Sequence, residues 1–139
     1  IAGPHTYYPG CLPGILEEVG LSLARNNAVY LVGGFGGMSR LIYDRIQGKS
    51  AMPLTAEWQA EQNPAFLKTD RKKWNEINTL LEALGPEGLA KNNGLGRAEN
   101  RTLAHTQSVD QIVYLISKGL LTIMSGRRSH RDKEHLNDQ

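Results

Sequence analysis

The tightest constraint on the fold lies where Ala28, Val29, Tyr30, Leu31 and Val32 run directly into Gly33, Gly34, Phe35, Gly36 and Gly37. A short apolar run rich in β-formers fits a strand buried on both faces. Behind the glycines, Met38, Leu41, Ile42 and Ile46 recur on one helical face, while Arg40, Asp44 and Gln47 share another. Strand, glycine loop and helix in that order predict an α/β domain built around a parallel strand.

The flanking chain supplies further elements. A helix is predicted over residues 13–25, because Pro13 suits a first helical turn and Ile15, Leu16, Val19 and Leu23 recur at helical spacing. Residues 48–64 carry Pro and Asn-Pro breakers and read as an excursion with one helical turn near residues 57–61. Trp74, Ile77, Leu81 and Leu84 predict a helix over residues 70–84, stopped by Gly85 and Pro86. Residues 87–100 read as mostly loop and residues 101–106 as a short last strand. Ser108 and Gln111 form a capping-box pattern ahead of Ile112, Val113, Leu115 and Ile116, with Gly119 as the expected helix end. Residues 1–126 are then one domain, and the polar residues 127–139 a frayed tail.

Composition narrows the function classes. Sixteen basic residues against 14 acidic ones give a net charge of +2, too balanced to argue for a nucleic-acid surface. No apolar run approaches the roughly 18 residues a membrane span needs. A single cysteine, Cys11, excludes an internal disulfide, and no Cys/His spacing predicts a metal site, so a reducing cytoplasm is the expected setting. His130 and His135 are five apart and out of register for a shared metal, and His5 and His105 have no ligand pattern nearby. The chain opens on Ile1 and reads as a piece of a longer protein.

Chemistry concentrates at the glycine loop. Unpaired N–H groups at a helix start, the helix dipole and the absence of side chains make such a junction an anion site. A tight turn is the alternative reading, although four glycines in five residues exceed what a turn needs. Met38 stands where a Walker A loop would carry Lys, and Ser39 where the dinucleotide fingerprint would carry its third glycine, so both templates are disfavoured.

"PGILEEVGLSLARNNAVYLVGGFGGMSRLIYDRI", with the later "NRTLAHTQSVDQIVYLISKGL", resembles the SLOG superfamily, which joins Smf proteins to the lonely-guy cytokinin phosphoribohydrolases. More narrowly, it is similar to prokaryotic SLOG domains found beside TIR and Sir2 effectors in nucleotide-signalling conflict systems. The resemblance implies a Rossmann-like, three-layer α/β/α fold with a small parallel sheet. In the family a further strand and glycine loop precede the first helix, so this copy is expected to be N-terminally incomplete. The implied ligand is a nucleotide, with NAD-derived species such as ADP-ribose as the leading class, held by Gly33, Gly34, Phe35, Gly36, Gly37, Ser39 and Arg40. The implied role is sensing, with control of an effector domain and assembly into a homo-oligomer.

The same resemblance speaks against catalysis. Hydrolases of the superfamily carry an acidic residue after this loop, whereas Ser39 and Arg40 occupy those positions here. A cation would oppose the positive charge that develops in N-glycosidic cleavage and suits a bound phosphate instead. A lonely-guy-like N-glycosidase and a purely structural oligomerisation module stay as alternatives. Glu17 and Glu18 are placed at the pocket rim, although acids in a first helical turn also follow from the helix dipole. Arg40 and Asp44 lie four apart, so a surface ion pair explains them as well. Tyr7 and Tyr8 could stack on a base or simply pack, and Cys11 reads as an inert thiol.

Overall fold

The computed structural model describes residues 12–62, 66 and 71–137, with side chains described as far as Gly126. Tyr7, Tyr8, Cys11 and His5 lie outside the described residues. Among those described, the secondary structure is helical throughout: α1 (Gly14–Ala24), α2 (Gly37–Ile46), a 3-10 turn (Met52–Leu54), α3 (Ala56–Gln62), α4 (Arg71–Asn93), α5 (Arg97–Leu103) and α6 (Val109–Asn137).

The expected Rossmann-like α/β/α sheet is therefore not formed among the described residues. Residues 27–33 form neither helix, turn nor strand, although burial alternates from Ala28 to Gly33 as it does along an extended chain, and no strand lies beside them among the described residues. Side-chain amides take over the backbone pairing instead. Val29 donates its N–H to Asn92 Oδ1 at 2.8 Å, and its carbonyl accepts from Asn93 Nδ2 at 2.9 Å. Asn92 also reaches the carbonyl of Asn27 at 2.8 Å. The second candidate strand, residues 101–106, is consumed by the last turn of α5 and the turn after it. One extended segment without a partner makes no ladder.

Strand-like alternation nevertheless governs how this segment packs. Val29 and Leu31 enter a core with Leu16 and Val19 of α1, Ile42 and Ile46 of α2, and Trp74 and Leu81 of α4. Tyr30 and Val32 point the other way, onto Leu95, Leu103 and Leu115 with Ile112 and Ile116 of α6. The segment is thus an apolar wedge between two clusters, in keeping with a run buried on both faces.

The helices expected over residues 13–25 and behind the glycine loop are present as α1 and α2, and the single turn predicted near residues 57–61 is α3. Gly85 does interrupt the tryptophan-bearing helix, with φ 58° and ψ 178°, but Pro86 restarts it rather than ending it. Proline suits a first turn, so residues 86–93 are helical where a loop was expected. Ser108 caps α6 through its Oγ, which accepts from Gln111 N–H at 3.4 Å. Gly119 does not end that helix. A Cβ there would sit 2.6 Å from the Asn93 carbonyl and 2.7 Å from the Tyr30 ring, so this glycine allows α6 to lie against the Asn93 turn. The helix then continues to Asn137 through the stretch expected to fray.

Candidate functional site

The glycine loop divides into two halves with different physical reasons. At Gly33 a Cβ would lie 2.8 Å from the Ala104 carbonyl and 3.1 Å from Arg40 Cα. At Gly34 it would lie 1.8 Å from the Thr106 carbonyl oxygen. These two residues are glycine because the chain after α5 presses directly onto them. Gln107 completes that contact by donating Nε2–H to the Gly34 carbonyl at 3.0 Å.

Gly36 and Gly37 are different. Both have positive φ, 79° and 71°, a region that side chains disfavour. A Cβ on Gly36 would meet no atom within 4 Å, so the backbone there faces open space. The loop closes as a turn, with Gly36 N–H bonded to the Gly33 carbonyl at 2.9 Å, and Phe35 stands at its tip, 54% exposed. Helix α2 starts immediately after it with no side-chain cap and no acidic residue in its first turn. Uncapped N–H groups at a helix start carry partial positive charge, and here the glycine beside them leaves the approach clear.

Ser39 and Arg40 sit in the first turn of α2, both half-buried. Arg40 donates Nε–H to Asp44 at 2.9 Å, and Lys49 reaches the other oxygen of Asp44 at 3.5 Å. The helical ion pair allowed by their spacing is thus formed, and it anchors Arg40 beside the loop. One turn on, Tyr43 is buried edge-on against the His105 ring, at 5.7 Å between centroids. Burial raises the Tyr43 pKa, an effect opposed by the positive charge of Arg101. The α2 face and the α5 end therefore meet along a line that begins at Gly33.

Glu17 and Glu18 have separate surroundings. Glu17 accepts a hydrogen bond from Lys73 near the start of α4, a contact that ties two helices together, and Glu18 is exposed on α1. The Glu17 pairing with Lys73 accounts for that acid structurally. Among the described residues no group of His, Cys, Asp and Glu is arranged to hold a metal ion, and no helix is long and apolar enough to cross a membrane.

Two contributors to this region were missed in sequence. The turn of residues 104–107 floors the loop, and Asn92, Asn93 and Asn100 hold the segment that leads into it. Asn93 is fully buried and uses every hydrogen-bonding capacity of its amide. Its Nδ2 donates to Val29 and to Asn100 Oδ1, at 2.9 and 2.7 Å, while its Oδ1 accepts from Leu95 N–H and Asn100 Nδ2, at 3.1 and 3.2 Å. The pair Asn92–Asn93 before Gly94 was the available signal, but Asn-Asn-Gly equally describes a turn.

A family model described as SLOG cluster2 matches residues 1–103. The chain belongs to the SLOG family. No curated protein and no solved structure matches it. The SLOG match takes in α1, the extended segment, the glycine loop and the intervening excursion, and it stops at the last residue of α5. Helix α6, which carries part of the residues behind the sequence resemblance, lies beyond it. Membership makes this a nucleotide-related domain of the SLOG superfamily, carried on a helical scaffold whose glycine loop is shaped by the turn after α5.

Proposed function

We propose that this SLOG domain is a nucleotide sensor in which a phosphate group docks on the backbone of Gly36 and Gly37 at the start of α2. The observation that carries the reading is the open, positive-φ backbone at an uncapped helix start. Gly33 and Gly34 shape the loop from beneath, Phe35 offers an exposed ring at its tip, and Ser39 and Arg40 supply a hydroxyl and a guanidinium in the adjoining turn. Arginine matches phosphate oxygens in planar, paired geometry. The ligand class is an NAD-derived nucleotide of the ADP-ribose type, and its binding controls an effector domain such as TIR or Sir2 in the parent chain. Ser39 and Arg40 in place of acids favour binding over hydrolysis of the ligand.

Calorimetry with ADP-ribose tests the reading. Arg40→Ala and Gly36→Val should each weaken binding by about tenfold or more, with thermal melts confirming that the variants are folded. Gly36→Val adds both strain at φ 79° and bulk on the approach. Unaltered affinity in both variants rules the loop out as the site.

A further inference from the structure

Tyr43 stands apart from the other buried residues. Its side chain is 3% exposed, yet its hydroxyl makes no hydrogen bond to the chain among the described residues. The unpartnered side-chain atoms sealed from solvent there are Arg45 Nε and Asn78 Oδ1. The Tyr43 oxygen is not one of them, so it reaches the surface at the end of a buried ring. A buried tyrosine usually finds a partner for its O–H, and the partner of this one comes from outside the chain.

The surroundings of that hydroxyl are mainly cationic. Arg97, Arg101 and His105 are spaced four apart and line one side of α5 and the turn after it. His105 stands edge-on against Tyr43 and donates Nδ1–H to the Arg101 carbonyl at 2.7 Å, which sets this row beside the ring. Arg40 lies one turn before Tyr43 on α2. Burial raises the Tyr43 pKa; of the charges that act on it, Arg101 is felt most, ahead of Asp44, Arg40 and Arg97. The Asp44 carboxylate is occupied by Arg40 and Lys49, and Arg97 by Glu87 at 3.1 Å. Arg101 is exposed and has no acidic partner among the described residues. A guanidinium and a phenol O–H, neither spent on the chain, are thus brought together.

Both groups lie beyond the glycine loop on the same side of it. A Cβ on Gly33 would meet the Ala104 carbonyl and Arg40 Cα, so the start of α2 and the end of α5 converge at the loop. We propose that Arg101 and the Tyr43 hydroxyl hold a second phosphoryl group of the ligand whose first phosphate docks on Gly36 and Gly37; the inference rests on that docking. Arg40 stands between the two positions, and its bond to Asp44 is made through Nε. Both new groups are donors, and a guanidinium fork with a phenol O–H beside it suits the oxygens of a phosphoryl group. The domain then selects nucleoside diphosphates such as ADP-ribose over nucleoside monophosphates.

Calorimetry with ADP-ribose and with AMP, on the full chain and on Arg101→Ala, Tyr43→Phe and Gly36→Val, tests this. The parent should bind ADP-ribose about tenfold or more tightly than AMP, and Arg101→Ala and Tyr43→Phe should each weaken ADP-ribose by about tenfold while leaving AMP unchanged. Arg101→Ala breaks no ion pair and Tyr43→Phe no hydrogen bond within the chain, so both should melt as the parent does. Gly36→Val should weaken both nucleotides. ADP-ribose binding that falls in Gly36→Val but not in Arg101→Ala and Tyr43→Phe keeps the loop as the phosphate site and overturns the second subsite. Equal weakening of AMP and ADP-ribose by Arg101→Ala and Tyr43→Phe also overturns it, since these residues would then serve the first phosphate. Weakening by those two variants without any effect of Gly36→Val removes the loop docking and, with it, the assignment to a second group. A parent that binds neither nucleotide overturns both readings.

Discussion

Replacing Asn93 by aspartate changes one NH₂ group to oxygen without changing the shape of the side chain, and so isolates the amide clamp. The native amide donates to the Val29 carbonyl at 2.9 Å and to Asn100 Oδ1 at 2.7 Å in a fully buried position. A carboxylate has no donor, so both acceptors lose their partner and face another oxygen instead. Each buried polar group left unsatisfied costs about 1–3 kcal/mol, which sets the destabilisation at roughly 2–6 kcal/mol before the buried charge is counted. Against a typical domain stability of about 5–15 kcal/mol, this is a large fraction. The bonds accepted from Leu95 N–H and Asn100 Nδ2 survive, because a carboxylate accepts as an amide oxygen does.

Urea unfolding of Asn93→Asp and the parent, followed by far-UV circular dichroism, measures the difference. The pH dependence adds an independent check. The introduced carboxyl, buried among oxygens, has a folded-state pKa raised above its unfolded value. The native variant then holds a proton that the unfolded chain releases. Its deficit therefore shrinks as pH falls through the raised pKa and is greatest at neutral pH. If Asn93→Asp unfolds at neutral pH within about 0.5 kcal/mol of the parent, a typical tolerance for inert surface changes, the amide clamp does not hold the segment.

Gly34→Ala places a methyl group 1.8 Å from the Thr106 carbonyl oxygen and should lower stability by about 3 kcal/mol or more, since backbone must move; a melt unchanged from the parent contradicts the close approach. Gly119→Ala should reduce stability by about 1–3 kcal/mol through the Asn93 carbonyl and the Tyr30 ring, with near-UV circular dichroism reporting a displaced tyrosine. Glu99 has its pKa lowered by Lys118 first and by the Gly96 N–H second, so its contribution is present above the unfolded glutamate pKa and lost as pH falls through the lower folded value. Glu99→Gln should accordingly flatten the acid side of the stability profile, by a small amount because the pair is partly exposed; a profile identical to the parent's removes the contribution.

Local signals in the sequence were sound where a single helix could satisfy them. The periodicity of Ile15, Leu16, Val19 and Leu23 is realised in α1, and that of Met38, Ile42 and Ile46 in α2. The sheet was misjudged because the run from Ala28 to Val32 specifies an extended backbone, not its neighbours. Whether strands or side-chain amides meet Val29 is decided more than sixty residues away, at Asn92 and Asn93. The glycine loop was legible as a junction, yet Gly33 and Gly34 are closed off by neighbouring backbone while Gly36 faces open space. Gly33 and Gly34 answer to residues 104–106, whose proximity no spacing in the sequence reveals. Gly119 misled for the same reason, since close packing and helix termination favour the same residue.

The amide clamp also sets an order of events in folding. The bonds from Val29 and Asn27 to Asn92 and Asn93 span 63 to 65 residues of chain. Helices α1 and α2 can form from local contacts early, whereas closing such a span waits on the chain between. On a ribosome, the run from Ala28 to Val32 therefore emerges well before the asparagines that secure it. Until then a short, uncharged, β-prone stretch has its backbone free, the kind of segment that pairs with others like itself. A chain truncated before Asn92 should show this as aggregation, and full-length protein should be released from the hazard once α4 is complete.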